Sequence, residues 1–144
     1  MTREDKGHYA LKHSPDRKPD QKVIDAVKKK ISDDTISCAE AFSIADALNT
    51  PPEEIGVTLD LLEIRIVKCQ LGLHGYKTHG KRLNPVGTVA PELEEAIRGA
   101  LLNDRLPCAS AWKISDELGL GKMEVSSACE ALKIKISSCQ LGAF

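Results

Sequence analysis

Aromatic side chains are nearly missing from this 144-residue chain: one Trp, two Tyr and two Phe, 3% in all. With 42% of residues hydrophobic, any core must be aliphatic. No apolar run approaches the ~18 residues that span a bilayer, and Met1-Thr2-Arg3-Glu4-Asp5 has no apolar stretch behind it to serve as a secretion signal. These absences predict a soluble, cytoplasmic protein. The cysteine count is odd. Cys38, Cys69, Cys108, Cys129 and Cys139 include no C-x-x-C pair, which argues against a secreted disulfide scaffold and for reduced thiols. Also lacking are a Gly-rich phosphate loop, paired carboxylates in a pocket-like context, and a Ser–His or Cys–His arrangement on ordered elements. The expectation is therefore no enzyme and no cofactor.

What the chain does contain is a repeat. Cys69-Gln70-Leu71-Gly72 returns as Cys139-Gln140-Leu141-Gly142, and a shift of seventy positions aligns residues 22–74 with 92–144 without a gap. Sixteen of the fifty-three aligned pairs are identical, among them Cys38 with Cys108, Ile44 with Ile114, Leu62 with Leu132 and Ile66 with Ile136. A fixed-period self-match means one small unit was duplicated. The net charge of −1 is unevenly spread: +1 over residues 1–21, −3 over 22–74, +3 over 75–91 and −2 over 92–144. The repeats are acidic and the basic charge lies before and between them, unlike a strongly basic nucleic-acid binder.

Residues 1–20 carry both signs of charge and no apolar periodicity, which predicts a mobile charged arm, ordered in part against a neighbour, with Tyr9 and Leu11 as anchors. Asp20 then reads as the N-cap of a first helix carrying Val23, Ile24, Val27 and Ile31, ended by Asp33-Asp34-Thr35. Ile36 forms a very short strand. Ser37-Cys38-Ala39-Glu40 has the form of a capping box and opens a second helix with Ala41, Ile44, Ala45 and Leu48 on one stripe. Asn49, and Gly119 in the second copy, suit the left-handed residue past a helix end. Thr50-Pro51-Pro52-Glu53 reads as another capping box before a third helix with Ile55, Leu59 and Leu62 inward. Glu63 to Lys68 then alternates, so Ile64 and Ile66 point at the core from a strand. Residues 75–91, rich in Gly, Pro and cations, read as a loop whose first half could return as a hairpin strand. The second copy repeats the plan: Leu93, Ala96, Ile97, Ala100 and Leu101, then Ala111, Ile114 and Leu118, then Val125, Ala128, Cys129 and Leu132, then a strand at Lys133 to Ile136. The domain plan is thus arm 1–20, repeat 21–76, basic loop or wing 77–90, and repeat 91–144.

Helix, short strand, helix, tight turn, helix, strand, with Ile44-Ala45-x-x-Leu48-Asn49 before Ile55 and Ile114-Ser115-x-x-Leu118-Gly119 before Val125, resembles the winged helix-turn-helix class in two tandem copies. The resemblance covers about three-quarters of the chain. It implies a mainly α fold with short β, two tri-helical-plus-strand units forming one pseudo-two-fold body, and a DNA-binding transcriptional regulator whose third helix enters the major groove. On the residues themselves, the outward positions of the first copy's third helix are Pro51, Pro52, Glu53, Gly56 and Val57, followed by Glu54, Asp60 and Glu63, and acids oppose phosphate. The second copy is more permissive. The candidate nucleic-acid contacts are Lys122, Ser126 and Ser127 there, with Lys77, Lys81 and Arg82 in the wing-like loop. The alternative is a protein-interaction or adaptor module that has lost its nucleic-acid face.

A third reading, a redox or metal sensor, rests on cysteines placed thirty-one residues apart in each copy, Cys38 with Cys69 and Cys108 with Cys139. Their bland reading is as small buried hydrophobes. A metal would need all four thiolates to converge, and a thiol–disulfide switch would need each pair to meet. Cys129 falls on an apolar stripe and belongs to the core. Gln70, Gln140, Gly72 and Gly142 suit a strand end with a close approach or bulge, or an edge to which a partner adds a strand. An exposed second-copy strand would pair with the first copy's strand or with a second chain as a homodimer.

Overall fold

The computed structural model describes residues 8–76 and 88–144. These residues are mainly helical with four short strands, and no described helix is long and apolar enough to cross a membrane. The chain divides into two compact units, the first made of Met1–Cys69 with Gln140–Phe144, the second of Gln70–Cys139. The unit boundaries thus fall inside the repeated Cys-Gln-Leu-Gly segments, not at the ends of the sequence repeats. Leu141 is 1% exposed in the first unit and Leu71 is fully enclosed in the second, so each aliphatic core contains a leucine from the end of the other copy.

The first unit opens with a 3-10 turn, Tyr9–Lys12. Helix α1, Gln21–Lys28, starts where the Asp20 carboxylate accepts the Lys22 backbone N–H at 2.8 Å, and it buries Val23 and Val27. Asp33 and Asp34 make a tight turn of their own where the sequence suggested a helix end. Both have positive φ, 49° and 58°, and the flanking Ser32 and Thr35 exchange two backbone hydrogen bonds of 2.9 Å. Two consecutive left-handed residues are what a two-residue hairpin turn demands, and Asp tolerates that conformation. Strand β1, Thr35–Ser37, runs directly into helix α2, Cys38–Ala47. Ser37 Oγ caps α2 as expected, accepting the Glu40 N–H at 3.1 Å.

Asn49 adopts φ 50° past the end of α2, and the Thr50 N–H reaches back to the Ala45 carbonyl at 2.9 Å. This is the helix-ending pair of bonds that a left-handed residue allows. Helix α3, Pro52–Leu61, begins with Pro51 at the cap and Pro52 in the first turn. The capping box expected at Thr50 does not form, because its hydroxyl turns back to the Leu48 carbonyl at 3.2 Å. Strand β2, Arg65–Val67, then lies parallel to β1 with Ile36 opposite Ile66. Ile36, Ile55, Leu59 and Ile64 are all 5% exposed or less. Each such burial contributes roughly 1.5–3 kcal/mol against the entropy of ordering the chain.

The second unit repeats these devices. Helix α4, Pro91–Gly99, buries Leu93 and Ile97. Asn103 and Asp104, at φ 51° and 63°, form the tight turn between Leu102 and Arg105. Strand β3, Arg105–Pro107, leads into α5, Cys108–Leu118, which ends on Gly119 at φ 66°. Leu118, expected in the core, is 37% exposed at the last turn of α5. Helix α6, Lys122–Ala131, has the Gly121 N–H held by the Glu124 carboxylate at 3.2 Å. Strand β4, Lys135–Ser137, runs parallel to β3 with Leu106 opposite Ile136. The pairing expected between the second copy's strand and the first copy's strand is therefore corrected, since each strand takes its partner from its own copy. The hairpin expected after β2 would use residues that lie outside those described.

Candidate functional site

The third helix of each copy is the natural place to look, and the two have different surroundings. In the first unit, the turn Tyr9–Lys12 and the residues after it lie against α3. The Tyr9 and Ala10 N–H groups donate to the two carboxylate oxygens of Glu63 at 2.9 and 3.1 Å. Lys12 Nζ lies 2.9 Å from Asp60 Oδ2 and donates to the Gly142 carbonyl at 2.8 Å, while His13 Nε2 lies 2.9 Å from the same Asp60 oxygen. Arg17 pairs with Glu54 nearer the start of α3.

Three of the four acids read from sequence as facing outward and as hostile to phosphate, Glu54, Asp60 and Glu63, are thus occupied by the arm. Asp60 is only 6% exposed, which corrects its outward placement, and the Lys12 ammonium and the His13 ring both meet its carboxylate. A carboxylate this buried is tolerated only with such partners. Gly56, also expected outward, is buried beneath the backbone of Leu141. Leu11, the expected arm anchor, is 79% exposed instead. The arm is held by charge and by its own N–H groups. Nothing in its apolar pattern announced this, although the acids spaced along α3 and the cations of the arm were visible.

Among the described residues, the corresponding face of α6 shows no such arm contacts, and the second copy's counterpart of the arm, residues 78–90, lies mostly outside them. Five consecutive residues, Val125 to Cys129, are buried. Ser126 and Ser127, proposed above as groove contacts, are buried at 1% and 9% exposure, a correction to the sequence reading. Lys122 is half-buried at the first turn, with Nζ 4.7 Å from the centroid of the Trp112 ring, a cation–π contact. Lys77, Lys81 and Arg82 lie outside the described residues. Beside α6 and β4 opens a cavity of about 520 Å³ lined by Leu73, Ser126, Cys129, Ile134 and Ile136, with Glu130, Lys133 and Lys135 also on its wall.

No disulfide joins the five cysteines. Cys38, Cys69, Cys108 and Cys129 are buried and Cys139 is half-exposed. Burial pushes the Cys129 thiol up to about 11 from an ordinary 9.0, because the low-dielectric surroundings penalise a thiolate. Among the described residues, no three His, Cys, Asp or Glu side chains come together to hold a metal ion, the four candidate cysteines included.

Comparison with family models, with curated proteins and with solved structures finds no match for this chain.

Proposed function

We propose that the chain is a protein-interaction module, a duplicated winged-helix-type body in which the third helix of each copy is a seat for a short peptide segment. The observation that carries this reading is the docked arm. Residues Tyr9 to Arg17 occupy, through Glu54, Asp60 and Glu63, the helix face that a DNA reader would turn to the major groove. Phosphate would have to displace that arm and meet three carboxylates, against the main affinity term of nucleic-acid binding. The second reading, a DNA-binding regulator, draws on Lys122 at the start of α6 and on the cations of residues 75–91.

One experiment separates the two. In the full chain, Lys12→Ala, His13→Ala and Arg17→Ala together release the arm and leave the α3 seat intact. A fluorescent peptide of residues 8–18 is expected to bind the triple variant saturably, and the unaltered chain at least tenfold less well. Absence of binding, in a variant whose Tyr9 and Ala10 amides exchange freely, would sink the seat. A labelled duplex binding the unaltered chain at low salt, and losing affinity steeply as salt rises, would replace it with the DNA reading.

A further inference from the structure

Two segments far apart in the sequence meet on one stripe of α3. The backbone of Leu141 lies against Gly56, and one turn further along the helix Asp60 receives the arm. Positions four apart share a helix face. Lys12 joins the two segments. Its Nζ lies 2.9 Å from Asp60 Oδ2 and donates at 2.8 Å to the carbonyl of Gly142, the residue after Leu141. A single ammonium thus touches the arm's seat on α3 and the segment Gln140–Phe144, which belongs to the same compact unit.

That ammonium matters because the rest of the arm is weakly held. The turn Tyr9–Lys12 buries no side chain, Leu11 is 79% exposed, and Arg17 with Glu54 is a solvent-exposed pair, which contributes little. The Lys12 and Asp60 side chains are 16% and 9% exposed. At that depth an ammonium that loses an acceptor, or a carboxylate that loses its cation, is destabilised more than at the surface. Withdrawal of residues 140–144 takes the Gly142 carbonyl from Lys12 and loosens the arm. Departure of the arm takes the donor from Gly142 and loosens the strap that carries Leu141, 1% exposed. Such a coupling has the same size in both directions. We infer that the arm and residues 140–144 form one latch across α3, closed by Lys12, so that whatever displaces the arm also governs whether Leu141 stays seated. This rests on the peptide-seat reading and gives that seat its regulation. An incoming segment with a lysine in the place of Lys12 keeps the strap closed, and one without it lets residues 140–144 open.

The test perturbs the strap and reads the arm, in the full chain. Gly142 has φ 77° and nothing within 4 Å of where a Cβ would stand, so Gly142→Ala opposes its left-handed backbone without a clash. Gly119, at φ 66° and equally open, belongs to the second unit and serves as the control. Gly142→Ala is expected to speed amide exchange at Tyr9 and Ala10 about fivefold, the scale of one net hydrogen bond, and to leave Val23 and Val27 unchanged. Gly119→Ala should leave the arm amides unchanged. With Lys12→Met already in place, Gly142→Ala should add nothing further at the arm. Unaltered arm exchange in Gly142→Ala, an equal effect of Gly119→Ala, or an undiminished effect in the Lys12→Met background overturns the latch. Should Gly142→Ala fail to fold, Lys12→Met reads the coupling from the other end: the Leu141 methyl resonances are expected to move, and resonances left in place overturn it. No peptide enters this experiment. Failure of the arm peptide to bind therefore sinks the seat alone, and independent effects here sink the latch alone.

Discussion

The backbone carbonyl of Leu141 lies directly against Gly56, in the middle of α3, so that a Cβ at position 56 would overlap the carbonyl oxygen and meet the Leu141 Cα at 3.1 Å. A helix interior normally disfavours glycine by roughly 0.5–1 kcal/mol relative to alanine. At this point the bare Cα is what lets the last residues of the chain reach the first unit's core.

Gly56→Ala is accordingly expected to destabilise the protein by about 1–3 kcal/mol, because overpacking against backbone outweighs the gain in helix propensity. Gly99, at the end of α4, has nothing within 4 Å of where a Cβ would stand. Gly99→Ala should leave stability unchanged or raise it by up to ~1 kcal/mol. Urea unfolding of the two variants side by side gives opposite signs if the Leu141 approach is the cause.

Asp60 joins the arm to α3 through Lys12 and His13 while buried at 6% exposure. Asp60→Ala removes both partners at once and should cost roughly 1–3 kcal/mol. It should also raise amide exchange at Tyr9 and Ala10, although neither bonds to residue 60. The Arg17–Glu54 pair has side chains 42% and 52% exposed, so Glu54→Ala should cost less than ~1 kcal/mol. Equal effects of the two substitutions would show that Asp60 does not hold the arm.

The thiols should label in an order set by burial. Cys139, half-exposed, reacts first with a maleimide, and Cys129 reacts last at pH 8 because its thiolate is suppressed. The sign for stability follows from linkage. Between about 9 and about 11 the folded state keeps a proton at Cys129 that the unfolded chain gives up. That contribution is whole below pH 9 and is lost as pH rises through 11. In Cys129→Ala, the fall in stability over this window should be shallower than in the unaltered chain.

Ser126 buries a hydroxyl with no hydrogen-bond partner. Ser126→Ala removes a desolvated polar atom while keeping the Cβ, and is expected to be neutral or stabilising by up to ~1 kcal/mol in thermal melts. A clear loss of stability would mean the hydroxyl already has a partner in solution.

Local chemistry was open to inspection in the one-dimensional chain. The seventy-residue repeat, the caps at Asp20 and Ser37, the left-handed residues at Asn49 and Gly119 and the inward Ile64 depend on spacing and backbone sterics within a few positions. They appear where spacing put them. The turn at Asp33-Asp34 was also written locally but was read as a helix end, because the strand that follows it is only three residues long; the same turn recurs at Asn103-Asp104.

Contacts that join residues far apart were decided only by the tertiary structure. Periodicity can say that Leu141 is apolar; it cannot say that the first unit's core, more than seventy residues upstream, is where it becomes buried. Nor can it say that Lys12 finds Asp60, that Ser126 and Ser127 are buried, or that β4 pairs with β3. A side chain's burial and its partner's charge are properties of what surrounds it in space. The repeat pattern determined two like sets of helices and strands, and the approach of distant segments then gave the two α-helical faces different fates.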